Sequence, residues 1–193
     1  MSTEWMDYHL HVGDVPNQLV VGCLHDYVTR KEASLDLGAG NLRDSRFLLK
    51  NGFKRVVAVD SCEDSRPFLI EGIEFEITPI ETYVPEKDSF DFAFSCNTLF
   101  FLGVDQVATV FQNVLQGLRS GGVFACNVLG EEDDWVVQGQ KVSYFDEKTL
   151  ATLLDGFEIL GAGESKKQSQ SLNSHGMLVG KFWHQMSIAV RKP

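Results

Sequence analysis

Residues 34–60 read SLDLGAGNLRDSRFLLKNGFKRVVAVD, and this stretch decides the fold. Apolar Leu35 and Leu37 run into Gly38-Ala39-Gly40, a helical pattern opens at Arg43-Asp44-Ser45, and Asn51-Gly52 stops it. Val56-Val57-Ala58-Val59 then runs directly into Asp60. A strand, glycine turn, helix and second strand put a helix N-terminus and a glycine loop beside a carboxylate at the sheet edge. That is a nucleoside-binding arrangement. Gly38 and Gly40 allow a tight turn and let backbone approach a ligand closely. Asp60 stands about 20 residues beyond the loop, where a carboxylate accepts both hydroxyls of a ribose. A dinucleotide fingerprint needs a small residue at position 43, and Arg43 stands there, which disfavours an NAD-dependent oxidoreductase.

Working outward, the pattern repeats. Pro16 suits a first helical turn, and Leu19, Val20, Cys23, Leu24 and Val28 predict a helix reaching Arg30. Downstream, a short helix at 67–72 precedes a third strand at 73–78, and Phe90–Ser95 is an aromatic fourth strand. Asp105 is the expected cap of a helix with Val107, Val110, Phe111, Val114, Leu115 and Leu118 on one face. That helix ends at Arg119-Ser120-Gly121-Gly122, before a fifth strand at 123–129. Strands alternating with helices imply an α/β, doubly wound parallel sheet. After an acidic loop at 130–135 come a helix at 147–154, a strand at 157–163, a polar and mobile segment at 165–176, and a last strand at 182–190. Two strands joined by an excursion suggest an antiparallel hairpin at one edge. The segments at 131–141 and 165–176 are candidate lids. Residues 1–16 read as an irregular arm carrying Trp5, Tyr8, His9 and His11, and 17–193 as one domain. His9 and His11 alternate, but no third ligand stands near, so no metal site is expected.

Composition narrows the partners. A formal charge of −10 and a pI near 4.9 argue against nucleic acid and anionic membrane surfaces. Four cysteines, none close to another in sequence, indicate neither a zinc site nor a redox dithiol. The N-terminus lacks a basic segment followed by an apolar run, and no apolar run could span a bilayer, so the expected location is cytoplasmic.

These motifs in this order resemble the class I S-adenosylmethionine-dependent methyltransferases over residues 17–193. GAGNLRDSRFLLKNGF, SFDFAFSCNTLFFL and the closing FWHQMSIAVRKP are similar to the tellurite-resistance-type small methyltransferases. The resemblance implies a Rossmann-like seven-stranded sheet, mostly parallel with a C-terminal antiparallel hairpin strand. It implies S-adenosyl-L-methionine as cofactor and a small-molecule acceptor, soft and thiol-like or an oxyanion, with a monomer or homodimer doing the work. Asp36, Gly38, Ala39 and Gly40 match the motif that holds the amino acid end of the cofactor. Asp60, followed by Ser61, matches the ribose-binding acid. Ile80 and Glu81 fall where the family contacts adenine, and Cys96 and Asn97 where it lines the methionine moiety. Leu42 replaces a small residue, which narrows the loop's room, and Pro79 stands where many members carry an acid for the adenine amine. Both departures motivate a second hypothesis, a methyltransferase-like protein that binds without catalysing. If the acceptor carries a proton, His184, Tyr144 and His175 are the candidate bases, with Trp135 and Trp183 as walls.

Overall fold

The computed structural model describes residues 4–173 and 175–193; Met1–Thr3 of the arm and Ser174 of the polar segment lie outside the described residues. Its centre is a seven-stranded sheet in the order β3-β2-β1-β4-β5-β7-β6. Strands β1 (Ala33–Leu37), β2 (Arg55–Asp60), β3 (Ile73–Ile77), β4 (Phe90–Ser95) and β5 (Leu118–Leu129) are parallel. The closing strand β7 (Leu178–Arg191) runs antiparallel to both β5 and β6 (Glu158–Leu172). The switch point between β1 and β4 opens a crevice at the C-terminal ends of the strands, where such sheets bind ligands.

Each face of the sheet carries its own core. On one side Val20, Leu24, Leu42, Leu48, Phe92 and Phe94 pack beneath α2 (Gln18–Asp26) and α3 (Arg43–Lys50). On the other, Leu35, Leu37, Phe111, Phe124 and Phe145 pack beneath α4 (Val104–Gly117) and α6 (Glu147–Leu153). Phe92 and Phe94 feed one layer and Ala93 the other, and a register shift between Phe90 and Phe92 puts Phe90 on Ala93's side, which is why that strand reads as apolar almost throughout.

Several boundaries differ from the sequence reading for identifiable reasons. Residues Glu4–His11 form a helix, α1, rather than an irregular arm. Trp5, Tyr8 and His9 lie at i, i+3 and i+4, so one side of α1 is aromatic and His9 and His11 face different ways. α2 stops at Asp26, four residues before Arg30, and Asn17 caps it by accepting the Leu19 N–H. The turn after β2 is a 3-10 segment at Glu63–Phe68. α4 begins one turn position earlier than Asp105, and Gln106 Oε1 accepts the Gly103 N–H at 2.9 Å.

The largest difference is at residues 165–176. Polarity there reads as mobility, yet β6 continues to Leu172 and pairs with β7 along its whole length. An edge strand is held by backbone hydrogen bonds, which polar side chains do not disturb. Leu129, the last residue of β5, is opposite Gln185, so Leu178–His184 and their partners on β6 project beyond the sheet. That overhang extends roughly 20 Å at about 3.3 Å per residue. At its tip Gly176, at φ +70°, lies so close to His11 of α1 that a Cβ there would fall 2.4 Å from the imidazole.

Candidate active site

The floor of the crevice is the loop from Gly38 to Leu42. Gly38 N–H and Ala39 N–H both donate to the Val59 carbonyl, at 2.8 and 3.1 Å, tying the loop to β2. Gly38 has φ +81° and its Cα presses on Thr98, where any Cβ would come within 2.2 Å of Oγ1. Glycine is required there by both the left-handed backbone and the close approach. Asp60 closes the opposite wall. Its Oδ2 accepts the Gly40 N–H at 2.8 Å and its Oδ1 accepts the Cys62 N–H at 2.9 Å. Each oxygen keeps a second lone pair for a ligand. Ser61 follows, exposed at the mouth.

Leu42 does not crowd this loop. It caps α3 at φ 61°, ψ 16°, and its side chain is fully buried in the α2–α3 core beside Leu48. The left-handed conformation turns the isobutyl group down and away from the crevice, so the narrowing expected from its size does not occur. Arg43 lies between α1 and the carboxylates, its Nε 3.7 Å from Asp44 and its guanidinium donating to the Val12 carbonyl at 3.4 Å.

Carboxylates concentrate beneath the loop. Asp36 is buried at the end of β1 and accepts a 2.6 Å hydrogen bond from Ser45 Oγ. Burial, then the neighbouring Asp44 charge, pushes its carboxyl well above the usual range. Cys96 sits close enough to Asp44 and Asp36 that burial and their charges raise its thiol too. A cation bound here would relieve the repulsion between the Asp36 and Asp44 carboxylates, so the site favours a cationic ligand. A carboxyl raised by folding prefers to be protonated in the native state. Its ionisation therefore costs stability above the unfolded carboxyl's value, near 4, and the cost is complete once the raised native value is passed. Asp36→Asn is expected to make the ligand-free protein about 1 kcal/mol more stable at pH 7 and to flatten its loss of stability from acid to neutral pH. Thermal unfolding from pH 4 to 8 measures this.

Four other residues lie around the crevice. Ile80 is buried against Leu37 and Leu99, an apolar wall, while Glu81 accepts from Gln106 Nε2 at 3.0 Å. Pro79 sits in a turn closed by its carbonyl with Thr82 N–H. Asn97, at the end of β4 with φ 57°, exchanges hydrogen bonds with Asn127 of β5, at 2.7 and 2.6 Å, and receives Gln185 of β7 at 3.2 Å. Three strands thereby fix one amide in a strained conformation at the crevice edge.

Two elements roof the crevice. The side chain of Asn41 donates to the Gly13 carbonyl at 2.9 Å and Arg46 donates to Asp14, clasping the end of α1 to the glycine loop. His9 then lies over Gly40, its Nε2 3.6 Å from where a Cβ would stand, and its ring meets Phe68 edge-on. Its Nδ1, Asp64 Oδ2 and Ser65 Oγ are buried without a hydrogen-bond partner among the described residues. Buried polar atoms are seldom left unpaired, so such orphans beside Asp60 suit a ligand carrying hydroxyl and amine groups. The sequence marks His9 as part of an aromatic arm but not as part of a helix, for which the i, i+3, i+4 spacing of Trp5, Tyr8 and His9 was the available signal.

The second roof is the β6–β7 overhang, bound to the loop after β5. Asp133, fully buried, pairs with Lys181, only 2% exposed, and its Oδ2 accepts the His184 N–H at 3.2 Å. The Lys181 ammonium lies 4.3 Å from the Trp135 ring centre and 3.9 Å from that of Trp183. Burial pulls its pKa down while Asp133 pushes it up. Asp133 also caps α5 (Asp134–Val137).

The three candidate bases occupy three different places. His184 packs on Gly130; its Nδ1 accepts the Glu132 N–H at 3.1 Å and its Nε2 pairs with Glu164 at 2.8 Å. With both nitrogens engaged and the ring 5% exposed, it positions the loop after β5 rather than moving protons. Tyr144 is half-exposed beside the end of β5, bridged through Leu129. His175 is exposed at the hairpin tip, its N–H held by Asn173.

Residues 35–126 match the methyltransferase domain family. No curated protein matches the chain by sequence. Among solved structures, TehB from Haemophilus influenzae superposes with a TM-score of 0.74 at 20% identity, covering 92% of this chain, which spans only 62% of TehB. The 1,6-didemethyltoxoflavin N1-methyltransferase of Burkholderia thailandensis, solved with its substrate and S-adenosylhomocysteine, gives 0.66 at 24% identity, covering 90% of this chain and 76% of that one. The chain solved with the Haloferax volcanii Trm112 methyltransferase activator gives 0.76 at 14% identity, covering 98% and 94%. These likenesses establish the fold.

Proposed function

We propose that this chain, a class I S-adenosylmethionine-dependent methyltransferase by its domain and fold, methylates a small-molecule acceptor beneath the roof of α1 and the β6–β7 hairpin. The observation that carries the reading is Asp60, held by the Gly40 and Cys62 amides with lone pairs free toward the crevice. When bound, S-adenosylmethionine supplies a methyl group already activated by its sulfonium. The chain's residues have to bind, orient and enclose.

In this reading Asp60 accepts the ribose hydroxyls, with Ser61 at the mouth, and Ile80 and Glu81 flank the adenine. Gly38, Ala39 and Gly40 admit the amino acid end closely. Asp36 acts from below: a cationic ligand draws it to its ionised form, which then favours ammonium and sulfonium, and its hydrogen bond with Ser45 positions the loop. Cys96 and Asn97 border the methyl-bearing side. Pro79 leaves adenine recognition to backbone groups and the Ile80 wall. A small acceptor is supported by the enclosed roof, by the acidity of the chain, and by neighbours that include an enzyme acting on 1,6-didemethyltoxoflavin. Leu42, which motivated the non-catalytic alternative, points into the core and no longer supports it.

Calorimetry with S-adenosylhomocysteine tests the cofactor, with one site per chain expected. Release of S-adenosylhomocysteine from S-adenosylmethionine across a panel of small nitrogen, sulfur and oxyanion acceptors tests the reaction. Binding without release from any acceptor would favour the non-catalytic reading.

A further inference from the structure

An unbroken file of aromatic rings crosses the mouth of the crevice, and the cofactor accounts for none of it. Trp5 of α1 meets Phe101, in the turn after β4, with centroids 5.7 Å apart. Phe101 meets Trp135 at 6.0 Å, and Trp135 meets Trp183 of β7 at 5.4 Å. Four separate elements contribute one ring each. Trp5 and Phe101 remain 39% and 43% exposed, though apolar surface of this size normally turns inward. Behind the file, Lys181 is wedged between the two indoles and paired with Asp133, which fixes Trp135 and Trp183 in place. The wall is rigid at one end and open at the other.

Ring faces carry partial negative charge, so they repel anions and attract flat neutral or cationic partners. The indole N–H donors lie at the ring edges, so the ring faces themselves offer an oxyanion nothing. The second consideration is protonic. His184, the buried imidazole beside the loop after β5, has both nitrogens engaged, so on this side of the crevice an acceptor atom with its own free lone pair at neutral pH is the one that needs no base.

We propose that the acceptor is a flat, neutral nitrogen heteroaromatic laid against Phe101 and Trp135, methylated at its ring nitrogen; this rests on the methyltransferase reading above. The nitrogen lone pair forms the new N–CH3 bond as the S–CH3 bond breaks, and that bonding pair stays on sulfur. The sulfonium charge passes to the ring nitrogen and no proton moves. A positive charge growing over aromatic faces is stabilised as it forms.

The test uses isoquinoline, quinoline and 1-methylbenzimidazole as probes, with selenite as the oxyanion control. Calorimetry on the protein saturated with S-adenosylhomocysteine is expected to show binding of at least one heteroaromatic and none of selenite. The same heteroaromatic should drive S-adenosylhomocysteine release from S-adenosylmethionine. Phe101→Ala and Trp5→Ala, both at exposed rings, should each weaken that probe about five- to tenfold, leaving S-adenosylhomocysteine affinity unchanged. The proposal is overturned if no heteroaromatic binds, if selenite is turned over in their place, or if Phe101→Ala leaves probe affinity intact. Wild-type protein that fails to bind S-adenosylhomocysteine would instead overturn the methyltransferase reading, so the two failures are separable.

Discussion

Asp60→Ala is expected to raise the dissociation constant for S-adenosylhomocysteine at least a hundredfold, close to the limit of calorimetric detection. The carboxylate would lose two charge-assisted hydrogen bonds to ribose, each worth about 1.5–3 kcal/mol. It would also release the Gly40 and Cys62 amides, whose bonds of 2.8 and 2.9 Å now shape the loop. Those two contributions can be separated. Asp60→Asn keeps one carbonyl acceptor and a similar shape, so it should retain most of the protein's stability while still binding at least tenfold more weakly. Melting temperatures measured beside the titrations distinguish a lost ligand contact from a loosened loop. If Asp60→Ala bound S-adenosylhomocysteine like the wild type, the placement of the cofactor proposed here would be wrong.

Lys181→Met should be the most damaging single change to stability. It leaves Asp133 with a charge and no counter-ion at a site with no solvent exposure. Breaking one side of a buried pair costs about 3–5 kcal/mol. The methionine retains the length and apolar surface between Trp135 and Trp183, so packing loss contributes little. Asp133 also receives the Trp135 N–H at 3.0 Å and the His184 N–H at 3.2 Å, so the damage should spread to α5 and β7. Amide hydrogen exchange is expected to quicken first in residues 178–184, the strand that overhangs the sheet. The double variant Lys181→Met/Asp133→Asn removes both charges and should recover part of the loss. Recovery there, with none in either single variant, would assign the effect to the charge imbalance.

Much of the catalytic half was legible from residue order. Gly38, Gly40 and Asp60 carry their roles in local chemistry: glycine for a left-handed turn, and an acid at a strand end. Strand β4 was readable to the residue, because a run of phenylalanines between turn-forming segments leaves few alternatives. The roof was legible only as candidate lids, not as the helix and strands that form it. α1 is too short to show a convincing helical period, and its fixing residues, Asn41, Arg43 and Arg46, lie some 30 positions away. Residues 165–172 look like a solvated loop because an overhanging edge strand owes its order to backbone pairing and to one buried ion pair, neither of which leaves an apolar pattern.

By itself, the sequence determined the crossover unit, the glycine loop and the acid opposite it, since each is dictated by steric and hydrogen-bonding needs within one short span. Arg43, where a dinucleotide loop needs a small residue, also disfavoured a pyrophosphate-bearing ligand. Only the tertiary structure decided which way Leu42 points, that His184 has no free nitrogen, and that Trp5, Phe101, Trp135 and Trp183 stand in one file. Those are relations between residues far apart along the chain. A side chain's direction at φ 61°, or the partner of an imidazole nitrogen, exists only once the strands are paired and the hairpin has folded across the crevice.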